Sequence, residues 1–365
     1  MSGDSPIGAL SGDLVSGTAV RELASGIDAL YLSGRVDLED SFLDGLERAR
    51  DRARASDGPV PYRLGGVEFG LAPHGLGRYG FRLSHEHGLI GLTGSRHLPA
   101  IRIQPRAELL HGLGPRAAAD TFLGLFGSFG EIRWTASRVD LFADVQGWWP
   151  TVEERERFVC RATTRDTFEE SGALTGFQFG RRKGGGLSAR VYEKSKHMAK
   201  TGSEWWRDVW GDAYRQGEPV ARVEFEFGRT VLRECGVDSP DDVFENASGL
   251  WGYATEWLSY RDRSDDGTRS RWPTSPEWES IRRVSLRDRP VTVHRTTTSR
   301  HAVAERRVVA GLCGYLSSFA ALRNIESLGE SLGGAESVLR LWELETGIPF
   351  SERVARKRRE REWGL

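Results

Sequence analysis

The sequence predicts an α+β protein: a mainly antiparallel sheet with helices packed on one face, followed by a helical C-terminal region. Three observations carry this. Short segments with strict apolar/polar alternation recur between Gly-rich turns, the period of a half-buried strand. Some of these segments are joined by tight hairpins and others by helices, the pattern of an antiparallel sheet backed by helices. Beyond about residue 231 the alternation fades and the remaining segments read as helical.

Taken in order, residues 1–25 are rich in Gly, Ser and Asp and read as a flexible arm. Residues 26–34 form a strand. Residues 37–55 form an amphipathic helix with acids early and bases late, as the helix dipole favours. From 59 to 106 runs a series of short strands with Gly turns, and 114–130 is a helix with Pro115 in its first turn. A second cycle then starts: a strand at 137–146, a helix at 151–164 with Thr151 as cap and Glu154 three residues on, a hairpin at 176–194 around a basic Gly turn, and a strand at 220–229. The shared order reads as a duplicated strand–helix–hairpin unit, with chance likeness of hairpins as the alternative. The domains expected are thus 1–25, an arm; 26–236, the α+β domain; and 237–365, a helical region with a polar linker at 262–300 and a basic tail at 353–362.

Composition narrows the function. The 365 residues include 51 Lys and Arg against 52 Asp and Glu, a net charge of −1, so nucleic-acid binding would rest on local patches rather than on a global field. Three widely spaced Cys show neither metal spacing nor a disulfide framework, which points to a reducing cytoplasm. No basic start followed by an apolar core marks a signal peptide, and no run of about 18 apolar residues predicts a membrane span. No GxGxxG or Walker pattern supports a nucleotide fold.

The alternation rule assigns faces in the second cycle. Arg138, Asp140, Phe142 and Asp144 share one side of their strand, and Val139, Leu141, Ala143 and Val145 the other. Arg222, Glu224 and Glu226 oppose Val223, Phe225 and Phe227. In "ARVYEK", Arg190, Tyr192 and Lys194 share a face. Adjacent strands would gather carboxylates, one phenol and several cations. Crowded carboxylates need positive charge between them. Either Arg138 and Arg222 supply it in a salt-bridge network, or a hard divalent cation such as Mg²⁺ or Mn²⁺ does. With a metal held by Asp140, Glu224 and Asp144, and with Arg190 and Lys194 beside it, Tyr192 reads as a nucleophile toward a phosphodiester.

These segments resemble the Rep-trans replication initiation factor family, rolling-circle initiators of plasmids and filamentous phages with relatives that nick conjugative elements. The resemblance runs over about 26–236. Its Arg-hydrophobic-Tyr-acid-Lys motif falls on Arg190, Val191, Tyr192, Glu193 and Lys194, its Arg-Val-Asp strand on Arg138–Asp140, and its Arg-hydrophobic-Glu strand on Arg222–Glu224, with Asp144 a further match. It implies a fold related to the HUH endonucleases, a covalent 5′-phosphotyrosyl intermediate on Tyr192, a divalent metal, and origin DNA as partner. Arg181, Arg182 and Lys183 in "GRRKGGG", with Arg138 and Arg222, are the candidate DNA contacts. The helical C-terminal region matches nothing in the family; reading origin duplex, recruiting a host helicase and homodimer contact are its candidate roles.

Other residues are weighed alongside. His85 and His87 in "HEH" have two-residue spacing, but Glu86 stands where HUH sites carry a hydrophobic residue, which favours a solvated pair. Trp205, Trp206 and Trp210 read as core, with base stacking as the alternative. A relaxase of an integrative or conjugative element shares the nicking chemistry. A sequence-specific DNA-binding regulator with a structural Tyr192 is the non-enzymatic rival. A tyrosine recombinase is disfavoured because no His-x-x-Arg pair precedes a late Tyr.

Overall fold

A computed structural model describes residues 20–182, 185–284, 286 and 300–355, with backbone alone for 300–308 and 310. The chain divides into two compact units between Thr296 and Thr297. In the first, β1 (Arg21–Arg35) is followed by α1 (Asp40–Ala55), the hairpin β2 (Val60–Leu64) and β3 (Val67–Leu71), the hairpin β4 (Phe81–His85) and β5 (Gly88–Leu92), β6 (Ile101–Pro105), α2 (Ala107–Leu113) and α3 (Pro115–Gly124). Next come β7 (Arg133–Gln146), β8 (Phe158–Cys160), β9 (Arg165–Glu170), β10 (Ala173–Phe179), β11 (Leu187–Glu193), α4 (Lys194–Thr201), α5 (Trp206–Trp210) and β12 (Ala221–Gly228). The unit closes with α6 (Arg229–Glu234), α7 (Pro240–Trp257), β13 (Leu258–Tyr260) and α8 (Pro276–Arg282). The second unit contains α9 (Arg300–Arg323) and α10 (Leu328–Thr346).

Among the described residues, eleven strands form one antiparallel sheet in the order β2-β3-β4-β5-β6-β1-β7-β12-β11-β10-β9; β8 and β13 make a separate pair. The long strands β1 and β7 pair at the centre. On either side the last strand of each cycle lies next to the first, and earlier strands follow outward. This order is the one a duplicated unit produces.

The apolar sides of β7 and β12 (Val139, Leu141, Ala143, Val145, Val223, Phe225, Phe227) are buried in the main core. From α1, Leu46, Ala49 and Ala53 face it at helical spacing, and Leu250, Trp251 and Ala254 of α7 do the same. Trp251 meets Phe225 edge-on at 5.3 Å. Ser239 caps α7: its hydroxyl accepts the Asp242 N–H at 3.1 Å while the Asp242 carboxylate accepts the Ser239 N–H at 2.7 Å. Across the sheet, Phe142, Met198, Trp206, Trp210 and Val220 form a smaller cluster where α4 and α5 fold over the polar face. No helix among the described residues is long and apolar enough to cross a membrane.

Several elements differ from the sequence expectation. Residues 1–19 and 356–365, hence most of the expected arm and basic tail, lie outside the described residues, and β1 already begins at Arg21. The helix expected at 151–164 is one 3₁₀ turn, Glu153–Arg157, followed by β8. Its capping contact does form, the Thr151 N–H donating to Glu154 at 3.0 Å. Phe158, however, is buried against Trp148, Phe177, Phe179 and Tyr260, with ring centroids 4.9–6.3 Å apart. Packing thus overrides local propensity. The expected helix 114–130 is α3 alone, with α2 preceding it; Gly114 at φ +86° breaks the path between them. Strand β9 extends the sheet beyond the predicted hairpin. The boundary expected at 236 falls inside the first unit, because α7 packs on the sheet, and α8 lies within the segment expected as linker.

Candidate functional site on the polar face of the sheet

Register brings the predicted residues together. Across β7, β12 and β11, one row reads Asp144, Arg222, Tyr192; the next Phe142, Glu224, Arg190; the next Asp140, Glu226, Ser188. Directly opposite residues share a face, so the polar sets of the three strands form one surface.

The first cluster is closed. Arg222 is fully buried and donates to both oxygens of Asp144 at 2.6 and 2.7 Å. Its remaining nitrogen reaches Asp28 at 3.0 Å, and its guanidinium lies 4.0 Å from the Trp206 ring centre. Trp210 donates to Asp144 at 2.8 Å. Burial alone would lower the Arg222 pKa, but Asp144 outweighs it and holds the pKa well above its ordinary value. Burial would likewise raise Asp28; Arg222 and the His111 hydrogen bond prevail and hold its carboxyl well below the usual range. Two expectations are corrected here. Asp144 is not free to ligate a metal, because it and the guanidinium that holds both its oxygens have no exposed surface. Arg222 does not reach DNA, because it is enclosed.

The second cluster lies on the same face, with its acids Asp140, Glu224 and Glu226 buried beneath partly exposed arginines. Arg138 makes a two-pronged pair with Asp140, one contact at 2.7 Å, and also meets Glu226 at 3.0 Å, which removes it from the expected DNA contacts. Arg190 donates to Oε1 of Glu224 at 2.5 Å, and the Tyr192 hydroxyl donates to Oε2 of the same carboxylate at 3.1 Å. Arg182, reaching in from the β10–β11 turn, lies 2.9 Å from Glu226, 3.7 Å from Asp140 and 3.8 Å from Glu224. Burial, then Glu224 and Glu226, pushes the Asp140 carboxyl up to about 7 in spite of Arg138. Burial and Glu224 also push the Tyr192 phenol well up, so it holds its proton. The salt-bridge network foreseen as one alternative is therefore built, with Glu226 as a third acid.

Lys194 does not continue the strand. It opens α4, buried, with its ammonium 4.3 Å from the Trp206 ring centre. Burial and then Arg222 bring its pKa down from 10.5 to about 8. The unfolded chain therefore binds more protons between these values, and stability rises with pH from about 8 to about 10.5. Lys194→Met should flatten this rise, measured by urea unfolding across that range.

Tyr192 also borders a cavity of about 280 Å³ lined by Phe168, Gly176, Gln178, Arg190, His197 and Lys200. This gives its ring an open side. Arg181 is exposed and Lys183 lies outside the described residues. Trp206 and Trp210 are buried and structural; Trp205 stacks on Trp206 at 4.4 Å. His85 ends β4, while Glu86 and His87 form the turn to β5, so the three do not share a strand face. Their ligand atoms lie within 4.8 Å of one another and can hold a metal ion, although His85 Nδ1 already accepts the His87 N–H at 3.2 Å. This turn is roughly 25 Å from β11, five strand spacings away.

Sequence reasoning missed Asp28 and His111, and it placed Glu226 on the polar face without assigning it to the site, while the core reading of Trp210 agrees with its burial. Glu226 was legible from its alternation with Glu224. Asp28 was not, because it sits in a bulge between the paired residues Ile27 and Ala29.

The fold thus defines an α+β protein on an eleven-stranded antiparallel sheet with a charged, phenol-bearing face. No family model matches the chain. Among curated proteins it is similar to ORF430, an uncharacterized protein of Pseudomonas phage Pf1, at 24% identity over 307 residues, 71% of this chain and 67% of that protein. Among solved structures it is similar to a rolling circle replication initiator protein from Geobacillus stearothermophilus, with a TM-score of 0.44 and 13% identity over 76% of this chain and 100% of that one.

Proposed function

We propose that the chain is a DNA nickase and strand transferase that initiates rolling-circle replication, with Tyr192 as nucleophile. The observation that carries this reading is the Tyr192–Glu224 hydrogen bond of 3.1 Å beside three acids gathered around one cation. Oε2 of Glu224 faces the phenol and is placed to take its proton, while Oε1 faces the cation seat. As the phenolic oxygen bonds to phosphorus, the bond from phosphorus to the 3′ oxygen breaks. The 3′ oxygen takes up a proton, and the 5′ phosphate stays on Tyr192. Arg190 covers the phenol ring 4.8 Å from its centre and steadies Glu224.

Asp140, Glu224 and Glu226 fit a hard divalent ion, Mg²⁺ or Mn²⁺. They offer oxygen alone, and a guanidinium already stands between them as a stand-in cation. Such an ion would draw in the phosphodiester and offset charge developing on it. The phage origin of the ORF430 relative agrees with service to a mobile replicon. The rival reading, a DNA-binding regulator, draws support from the pairing of each of these acids with arginine.

Nicking of origin-bearing single-stranded DNA with Mg²⁺ or Mn²⁺ separates the two. Glu224→Gln should lower the rate about 10²–10³-fold, and Asp140→Asn should also lower it. Wild-type rates in both variants would make the acids structural, and absence of nicking by the unaltered chain would favour the regulator.

A further inference from the structure

Gly185 and Gly186, which lead into β11, are tied down at the end of β12. A Cβ on Gly228 would come within 2.5 Å of the Gly185 backbone, so only glycine permits this approach. The Gly228 N–H donates to the Gly186 carbonyl at 2.9 Å and the Thr230 N–H to the Gly185 carbonyl at 3.2 Å. Arg182 lies over the acids, with its side chain a quarter exposed. Its guanidinium meets Glu226, Asp140 and Glu224, where the other two guanidiniums, Arg138 and Arg190, approach from within the sheet. Among the described residues, these acids do not come together as closely as the His85–Glu86–His87 group. Arg182 is positioned between them.

We infer that Arg182 is the resident counter-ion of the cation seat, that a divalent ion enters by displacing it, and that the released guanidinium then binds a DNA phosphate. This rests on the metal seat proposed above. Arg182 and the ion cannot share one position among three carboxylates, because like charges in contact repel. A phosphate that draws Arg182 outward therefore opens the seat. DNA and metal then strengthen each other's binding by one common factor, as linkage requires.

The test uses the full chain carrying Tyr192→Phe, so that no covalent adduct forms. Mn²⁺ binding is followed by electron paramagnetic resonance with and without a single-stranded oligonucleotide. The oligonucleotide should tighten Mn²⁺ binding about fivefold or more, and Mn²⁺ should tighten oligonucleotide binding by the same factor. Adding Arg182→Ala should tighten Mn²⁺ binding about tenfold without DNA and shrink the coupling. Arg181→Ala removes equal charge one residue away and sets the long-range background. Circular dichroism melts check folding. The coupling in the Tyr192→Phe chain itself needs no Arg182 variant. Glu224-dependent Mn²⁺ binding that is unchanged by Arg182→Ala, or absence of coupling, overturns the inference and leaves the seat intact. No Glu224-dependent Mn²⁺ binding in any variant overturns the metal seat, and the inference with it.

Discussion

Tyr192→Phe is expected to abolish covalent attachment to DNA, lowering nicking by about 10³-fold or more, because it removes the nucleophilic oxygen. The change is small in packing terms. Arg190 would still cover the ring, and His197 would still meet it edge-on at a centroid distance of 5.5 Å. Glu224 keeps its contact with Arg190. The lost hydrogen bond should cost only about 1 kcal/mol of stability, and oligonucleotide binding should persist. The readout is a denaturant-resistant protein–DNA adduct, followed by mass analysis of the peptide that carries it. An adduct that survives in the Phe variant would place the nucleophile elsewhere, and the raised phenol pKa would then mark a structural tyrosine.

Arg222→Met should cause the largest stability loss, about 3–5 kcal/mol. The side chain is fully buried and neutralises Asp144, which is itself enclosed, and it also compensates Asp28. Removing the guanidinium leaves a carboxylate inside the molecule with Trp210 as a remaining hydrogen-bond donor. Urea unfolding at neutral pH measures the loss. A second change, Asp144→Asn, should recover part of it, because the uncompensated charge disappears. A loss under about 1 kcal/mol would show that the pair is solvated in solution, against the enclosure described above.

Both expectations depend on how much of the site could be read in advance. Alternation assigned residues 138–145 of β7 and 222–227 of β12 to the correct face, because a strand has a side-chain period of two regardless of its neighbours. Tyr192 and Arg190 were placed together for the same reason. Lys194 also comes to this face, but from the first turn of α4 and buried over Trp206, which alternation cannot foresee.

What residues 137–229 determined by themselves was local: which segments alternate, which face carries charge, and where glycine lets the chain turn. These follow from backbone geometry and from the separation of apolar and polar side chains, and both act over a few residues. What the tertiary structure decided was pairing. Asp144 met Arg222 and left the metal set, Glu226 joined Asp140, Arg182 came to stand between three acids, and Phe158 left a helical pattern for an aromatic core. Each of these depends on strand order and on contacts between residues far apart in the chain, where burial and Coulomb energy outweigh the small preferences of local sequence.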